Sequence, residues 1–232
     1  MSLLYTLTNQ DNNRVFLGKT NLDKNICRKL LYNALRKEKH YNDLLQHDFK
    51  EHTFKLEFHD SEDIVKDFDN YIKDKKLLNP KYGYNIFNDL QNRKGRRKKT
   101  DIFSEDLCLL FIFNEDIQFW ARFSGLERNT ISNRLSNFGL FSDGYYDQTI
   151  ARYESYYWTA LRMLHLGGEC MTASQLMDKM NHKYKTSNQL RITPRKISKF
   201  FSANEVCKRK EKDKGSVVFC PGCCCDECDC EK

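Results

Sequence analysis

No stretch of this chain is long and apolar enough to span a bilayer as a helix, which excludes the helical membrane proteins. Its first residues, MSLLYTLTNQDN, lack the basic, apolar and small-residue layout of a secretory signal. The expectation is therefore an intracellular protein with no membrane partner. Only three prolines occur, beside many Asn, Lys, Tyr and Phe, a bias that points to an A/T-rich genome and carries no function. Six histidines, His40, His47, His52, His59, His165 and His182, stand at no ligand spacing with any cysteine and read as surface or core residues. Apolar content is not lacking: 40% hydrophobic residues exclude wholesale disorder. With 232 residues, one to three small domains are expected. Thirty-nine Lys and Arg against 32 Asp and Glu give +7, much of it concentrated in two places, which suits DNA, RNA or an anionic membrane.

The stretch from Ile117 to Phe138 reads as two short helices around a tight turn. Phe119, Trp120 and Phe123 form the apolar stripe expected on the first. Ser124-Gly125-Leu126 make the turn, with glycine where a positive φ is cheapest. Asn129 or Thr130 can cap the second helix, whose buried positions would be Ile131 and Leu135. Ala121, Gly125 and Ile131 stand at the offsets that place a small residue at a helix crossing, a glycine in the turn and a branched residue beneath the second helix. On these residues the segment resembles the helix-turn-helix family. The resemblance implies that Arg128, Asn129, Thr130, Ser132, Asn133 and Arg134 reach base edges and phosphates in a major groove. An ordinary helical hairpin with a polar outer face is the alternative.

At the N-terminus, residues 3–9 alternate as a strand, Asp11-Asn12-Asn13 turn, and residues 14–18 form a second strand. A helix follows over about 22–37, with Leu30, Leu31, Ala34 and Leu35 inward; then come a strand over 54–58, a helix over about 62–76 and the closing turn NPKYGYN. This order resembles the GIY-YIG nuclease domain across about residues 1–88. Leu3-Leu4-Tyr5 and Phe16-Leu17-Gly18 stand at its two signatures, and Lys19-Thr20-Asn21-Leu22 leads into the first helix.

The resemblance implies two tyrosines and an arginine around a scissile phosphate and a glutamate holding Mg²⁺ or Mn²⁺. Tyr5 keeps the first tyrosine, but the second is Phe16. Asn25 stands at the arginine and Phe68 at the glutamate; Arg28 and Asp69, with Asp67, are the nearest substitutes. Residues one apart on a helix point about 100° apart, so an aspartate beside Phe68 is no simple replacement. Since losing one electrostatic group slows a reaction by about 10²–10³-fold, three departures predict a scaffold that binds without cutting.

From Arg93 to Lys99 the chain carries six positive charges in seven residues: Arg93, Lys94, Arg96, Arg97, Lys98 and Lys99. Such density repels itself and predicts an extended linker that contacts phosphates; a solvated connector or a localisation signal are the alternatives. Residues 105–113, EDLCLLFIF, predict an apolar helix packed beneath the helix-turn-helix, and another helix follows over about 154–165. TASQLMDKM and the helix opened by Pro194 then precede a basic hairpin over 205–219. Three helices and a hairpin resemble a winged helix. On that likeness Arg195, Lys196 and Lys199 on its last helix, and Lys208, Arg209 and Lys210 on its wing, face DNA; the same surface can instead dock protein. In the terminal CPGCCCDECDCEK, Cys220, Cys223, Cys225 and Cys228 have the local spacing of zinc ligands, although one residue alone separates the pairs. A thiol-rich tail that reacts with oxidants is the alternative.

The expected fold is α+β, divided as 1–88, a linker 89–103, a helix-turn-helix domain 104–150, a winged-helix-like domain 151–219 and the cysteine tail 220–232. The expected function is sequence-specific binding of double-stranded DNA on a catalytically degenerate nuclease scaffold. A metal-dependent site-specific endonuclease is the alternative, and a protein-docking scaffold the third reading.

Overall fold

The computed structural model describes residues 2–86, 102–136, 153–184, 192–210 and 216–221. The fold is mixed α/β, and the chain divides into two compact units, Met1–Tyr145 and Tyr146–Lys232. Among the described residues no helix is long and apolar enough to cross a membrane.

The first unit is built on a three-stranded antiparallel sheet. Strands β1 (Leu3–Asn9) and β2 (Val15–Thr20) form the expected hairpin, with Tyr5 opposite Gly18 and Leu7 opposite Phe16. The Asn9 side chain accepts from the Asp11 amide at 2.9 Å, an Asx turn that directs the chain into the loop. β3 (Phe54–Asp60) pairs with β1, so the order is β2-β1-β3. On β3, Lys55, Glu57 and His59 are exposed, which blunts that edge against further pairing.

Helix α1 (Lys24–Arg36) starts on Asp23, whose carboxylate accepts from the Asn25 amide, and buries Cys27, Leu30, Leu31, Ala34 and Leu35. α2 (Asp43–Glu51) was not expected: only Leu44, Leu45 and Asp48 of its nine residues are buried. α3 (Ile64–Asp74) places Phe68 and Ile72 against Leu4 and Leu17 on one sheet face. The closing turn adds a pseudo-strand beside β2. The Tyr84 amide donates to the Val15 carbonyl at 3.0 Å, and the Asn85 side chain bridges both backbone groups of Leu17 at 2.9 and 2.8 Å.

α4 (Ser104–Phe113) is buried from Ser104 to Ile112 and packs on α1 and β2 as well as on α6 (Arg128–Ser136). The sequence placed it under the helix pair alone; its apolar residues, spread around the whole circumference, need cover on every side. Helices α5 (Ile117–Ser124) and α6 form the expected pair, and the Asp116 carboxylate caps α5 through the Gln118 and Phe119 amides.

In the second unit α7 (Tyr153–Gly167) leads into β4 (Met171–Thr172), α8 (Ala173–Tyr184), α9 (Pro194–Ala203), β5 (Lys208–Lys210) and β6 (Val217–Phe219). The three short strands are antiparallel in the order β4-β6-β5. Thr172 and Gln175 cap α8 reciprocally: the Gln175 amide donates to Thr172 Oγ1 at 3.2 Å, and the Thr172 amide donates to Gln175 Oε1 at 2.8 Å. Thr193 caps α9, and Pro194 occupies its first turn as expected. The core joins Tyr156, Leu161 and Leu164 of α7 to Leu176 and Met180 of α8, Ile197 and Phe201 of α9, and Phe219 of β6.

Candidate nucleic-acid interface

The turn between α5 and α6 forms because Gly125 takes φ 65°, a left-handed conformation that residues with a Cβ adopt at a cost of about 1 kcal/mol. Trp120 anchors α5: its ring is buried and its indole N–H donates to the Asn114 carbonyl at 2.6 Å. Phe119 and Phe123, expected beside it on the inner stripe, are instead exposed. Their rings stack on each other with centroids 6.2 Å apart and meet Trp120 edge-on. An eight-residue helix packed mainly on one neighbour turns too little surface inward for three large rings.

α6 begins at Arg128, one to two residues before the expected caps, with the Glu127 carbonyl accepting from the Ile131 amide. Ile131 and Leu135 are fully buried. Arg128, Asn129 and Asn133 are exposed, while Thr130 and Ser132 are half-buried. At about 100° per residue, positions 128, 129, 132 and 133 share an arc of about 140° flanking the buried row. Arg134 lies off that arc, half-buried, and donates to the Ile102 carbonyl at 3.4 Å; burial pulls its pKa down. It therefore ties α6 to the segment before α4.

In the second unit Arg195, Lys196 and Lys199 are exposed on α9, and Lys208, Arg209 and Lys210 are exposed along β5. Ile197 and Phe201 hold the opposite side of α9 in the core. The basic stretch Arg93 to Lys99 lies outside the described residues, as do Cys223, Cys225 and Cys228. Among the described residues no three His, Cys, Asp or Glu side chains stand together as a metal site.

The residues expected around a nuclease centre have different fates. Tyr5 and Phe16 come together, ring centroids 6.2 Å apart, and both are about 1% exposed. Gly18 lies so close under Tyr5 that an added Cβ would fall 2.1 Å from the ring. Burial pushes the Tyr5 pKa well above its ordinary value, with Cys27, Tyr41, Asp106 and Glu105 nearby adding to the rise. Arg28, like Asn25, is exposed on α1; Asp69 is half-buried on α3 beside the buried Phe68. Lys19, which sequence reasoning missed, is fully buried with Nζ 4.8 Å from the Phe68 ring centre and 5.4 Å from that of Phe103.

α4 closes this end of the sheet. Thr20 donates to Asp106 Oδ1 at 2.6 Å, and the Asn21 amide donates to Oδ2 at 2.8 Å. Burial pushes the Asp106 pKa up to about 7 despite both hydrogen bonds. Cys27 is pushed up to about 12, by burial first and then by the Asp106 charge. The sequence signal was an acidic residue at the head of an apolar run; its partner Thr20 lies 86 residues away.

A second polar network holds the other end. Tyr84 donates to Asp48 Oδ2 at 2.8 Å, Asn9 donates to Tyr84 Oη at 2.9 Å, and Arg14 pairs with the same carboxylate oxygen at 3.0 Å. Burial works to raise the Asp48 pKa, but the hydrogen bond from Tyr84 and the Arg14 charge outweigh it, so the carboxyl sits below its ordinary range. Asn42 caps α2 and donates to the Tyr84 carbonyl. These groups join the GYN turn to the hairpin and α2, which makes them structural.

Compared with family models, curated proteins and solved structures, the chain matches none.

Proposed function

We propose that the chain binds double-stranded DNA sequence-specifically, with α6 as the element that reads bases and the basic residues of α9 and β5 as phosphate contacts. The carrying observation is that Arg128, Asn129 and Asn133 stand exposed within one arc of a helix, beside the row locked by Ile131 and Leu135. Side chains of this kind, held on a rigid rod, suit the donor and acceptor pattern of a major groove. In the second unit, the helix-strand-helix-helix-hairpin order with β6 between β4 and β5 supports the winged-helix reading and makes β5 part of the wing.

The N-terminal unit is a nuclease-like scaffold that does not cut. A hydroxyl that activates water must reach solvent and substrate, and the Tyr5 side chain reaches neither. The face beside it is covered by α4, which Asp106 fastens to Thr20 and Asn21.

Selection of bound sequences from a random duplex pool tests this reading. The wild type enriches one site; Arg128→Ala with Asn133→Ala weakens binding there by about 1–3 kcal/mol for each base no longer read, and changes binding to random duplex little. Replacing Lys208, Arg209 and Lys210 by Gln weakens all duplexes alike and flattens the slope of log affinity against log salt by up to about 0.9 for each phosphate no longer neutralised. DNA binding that ignores salt, or none, ends the proposal. A cleavage product formed with Mg²⁺ or Mn²⁺ and abolished by Tyr5→Phe would replace it with a working endonuclease.

A further inference from the structure

The sheet of the second unit ends in two thiols that DNA binding does not use. Cys170 immediately precedes β4 and Cys220 immediately follows β6. Met171 pairs with Phe219, so the antiparallel register sets the two cysteines opposite each other at the next step of the same seam. Their Sγ atoms stand 2.7 Å apart although 50 residues separate them in sequence, and neither is in a disulfide. Residues directly opposite on antiparallel strands have Cα atoms about 4.5–5.5 Å apart, inside the range of about 4.4–6.8 Å that disulfides require. At this register, with the sulfurs already in contact, a bond can form without separating the strands. Two thiolates on one tetrahedral zinc, each about 2.3 Å from the metal, would stand about 3.8 Å apart, wider than this pair. Cys207 approaches through its backbone, its carbonyl accepting from the Cys220 amide at 2.9 Å.

We propose that Cys170 and Cys220 form a reversible redox couple at the end of the β4–β6 seam. Cys170, half-buried, is the thiol an oxidant reaches first; Cys220 is buried behind it. With a peroxide, the Cys170 sulfur attacks the O–O bond, an S–O bond forms, and water or an alcohol leaves. Cys220 then attacks that sulfur, the S–S bond replaces S–O, and a second water carries off the oxygen. Two thiols are oxidised, one peroxide is reduced, and a low-molecular-weight thiol reverses the change by exchange. The bond closes a long loop and fastens β4 to β6, the strand that carries β5. This inference does not depend on the DNA reading.

The test takes the full chain, reduced and stripped with a chelator, and treats it with one equivalent of hydrogen peroxide before alkylation, proteolysis and mass spectrometry. The expected product is the peptide pair joined through Cys170 and Cys220. The oxidised chain should also unfold at a higher temperature in its C-terminal unit, by roughly 10 °C. Cys170→Ser removes both signals, whereas Cys207→Ser keeps them. Cys170 joined mainly to another cysteine, or still open to alkylation after the peroxide is consumed, overturns the proposal. So does stoichiometric zinc in the chain as purified that shields both thiols from alkylation. Should Cys170→Ser fail to fold, the wild-type peptide map decides.

Discussion

Replacing Asp106 by Asn should change how the N-terminal unit responds to pH more than how stable it is. In the folded chain this carboxyl has a pKa of about 7 against an ordinary 3.8. Between those values the folded state keeps a proton that the unfolded chain has released. Its stability contribution is therefore complete below 3.8, falls as pH rises, and is lost above about 7. Each pH unit inside the window removes about 1.4 kcal/mol, or about 4 kcal/mol in all. His40 in the same unit works in the opposite direction. It is buried, its Nδ1 accepts from the Asn42 amide at 3.2 Å, and burial lowers its pKa from 6.5 to about 3. Between those values the unfolded chain binds a proton that the folded chain refuses, so stability rises with pH by about the same 1.4 kcal/mol per unit. From about pH 4 to 6.5 the two slopes oppose each other, and the wild-type profile should be nearly flat there. Asn at position 106 has one carbonyl oxygen for two donors, a loss of about 1–3 kcal/mol at every pH. It has no titration, so the His40 slope emerges: stability should climb by about 3 kcal/mol between about pH 4.5 and 6.5. The assay is urea unfolding followed by tryptophan fluorescence in a Trp158→Phe background, which leaves the buried Trp120 of this unit as the reporter. Parallel profiles for the wild type and Asp106→Asn across that range would refute the assignment of a proton to buried Asp106.

Two further substitutions test the packing. Ile131→Ala opens a cavity under α6 and should destabilise the first unit by about 2–4 kcal/mol, while Phe123→Ala, 63% exposed, should change it by about 0.5 kcal/mol or less in the same urea assay. Equal losses would mean that Phe123 is buried after all. Gly18→Ala sets a methyl against the Tyr5 ring and should cost about 1–3 kcal/mol by forcing that ring or β2 to move; Tyr5→Ala in the same chain should recover part of the loss specific to the clash.

Much of the secondary structure was legible because it depends on residues a few positions apart. The hairpin over 3–18, the helix start at Pro194, and the glycine turn at 125 all follow from local backbone preferences, and the helices they bound lie close to the spans expected. α2 was missed although local signals mark it, since Asn42 caps it and Leu45 and Phe49 stand one turn apart; with nine residues and a charged or polar residue at most other positions, its apolar face is short and easily overlooked. On α5 the pattern marked three aromatics alike, and only packing against α6 chose Trp120 for the interior.

The candidate interface divides in the same way. The sequence alone determined part of what α6 presents, because a buried Ile131 and Leu135 fix the helix phase and leave Asn129 and Asn133 outward, whereas Arg128, nearly in phase with Leu135, is exposed as the first residue of the helix. Only the tertiary structure decided that Arg134 turns back to Ile102, that α4 covers the face beside Tyr5, and that Asp106 meets Thr20. It also decided that Cys170 faces Cys220. Periodicity reports that a face is apolar and must be covered, whereas the covering partner is selected by shape and burial across tens of residues, and a one-step change of register would separate every such pair.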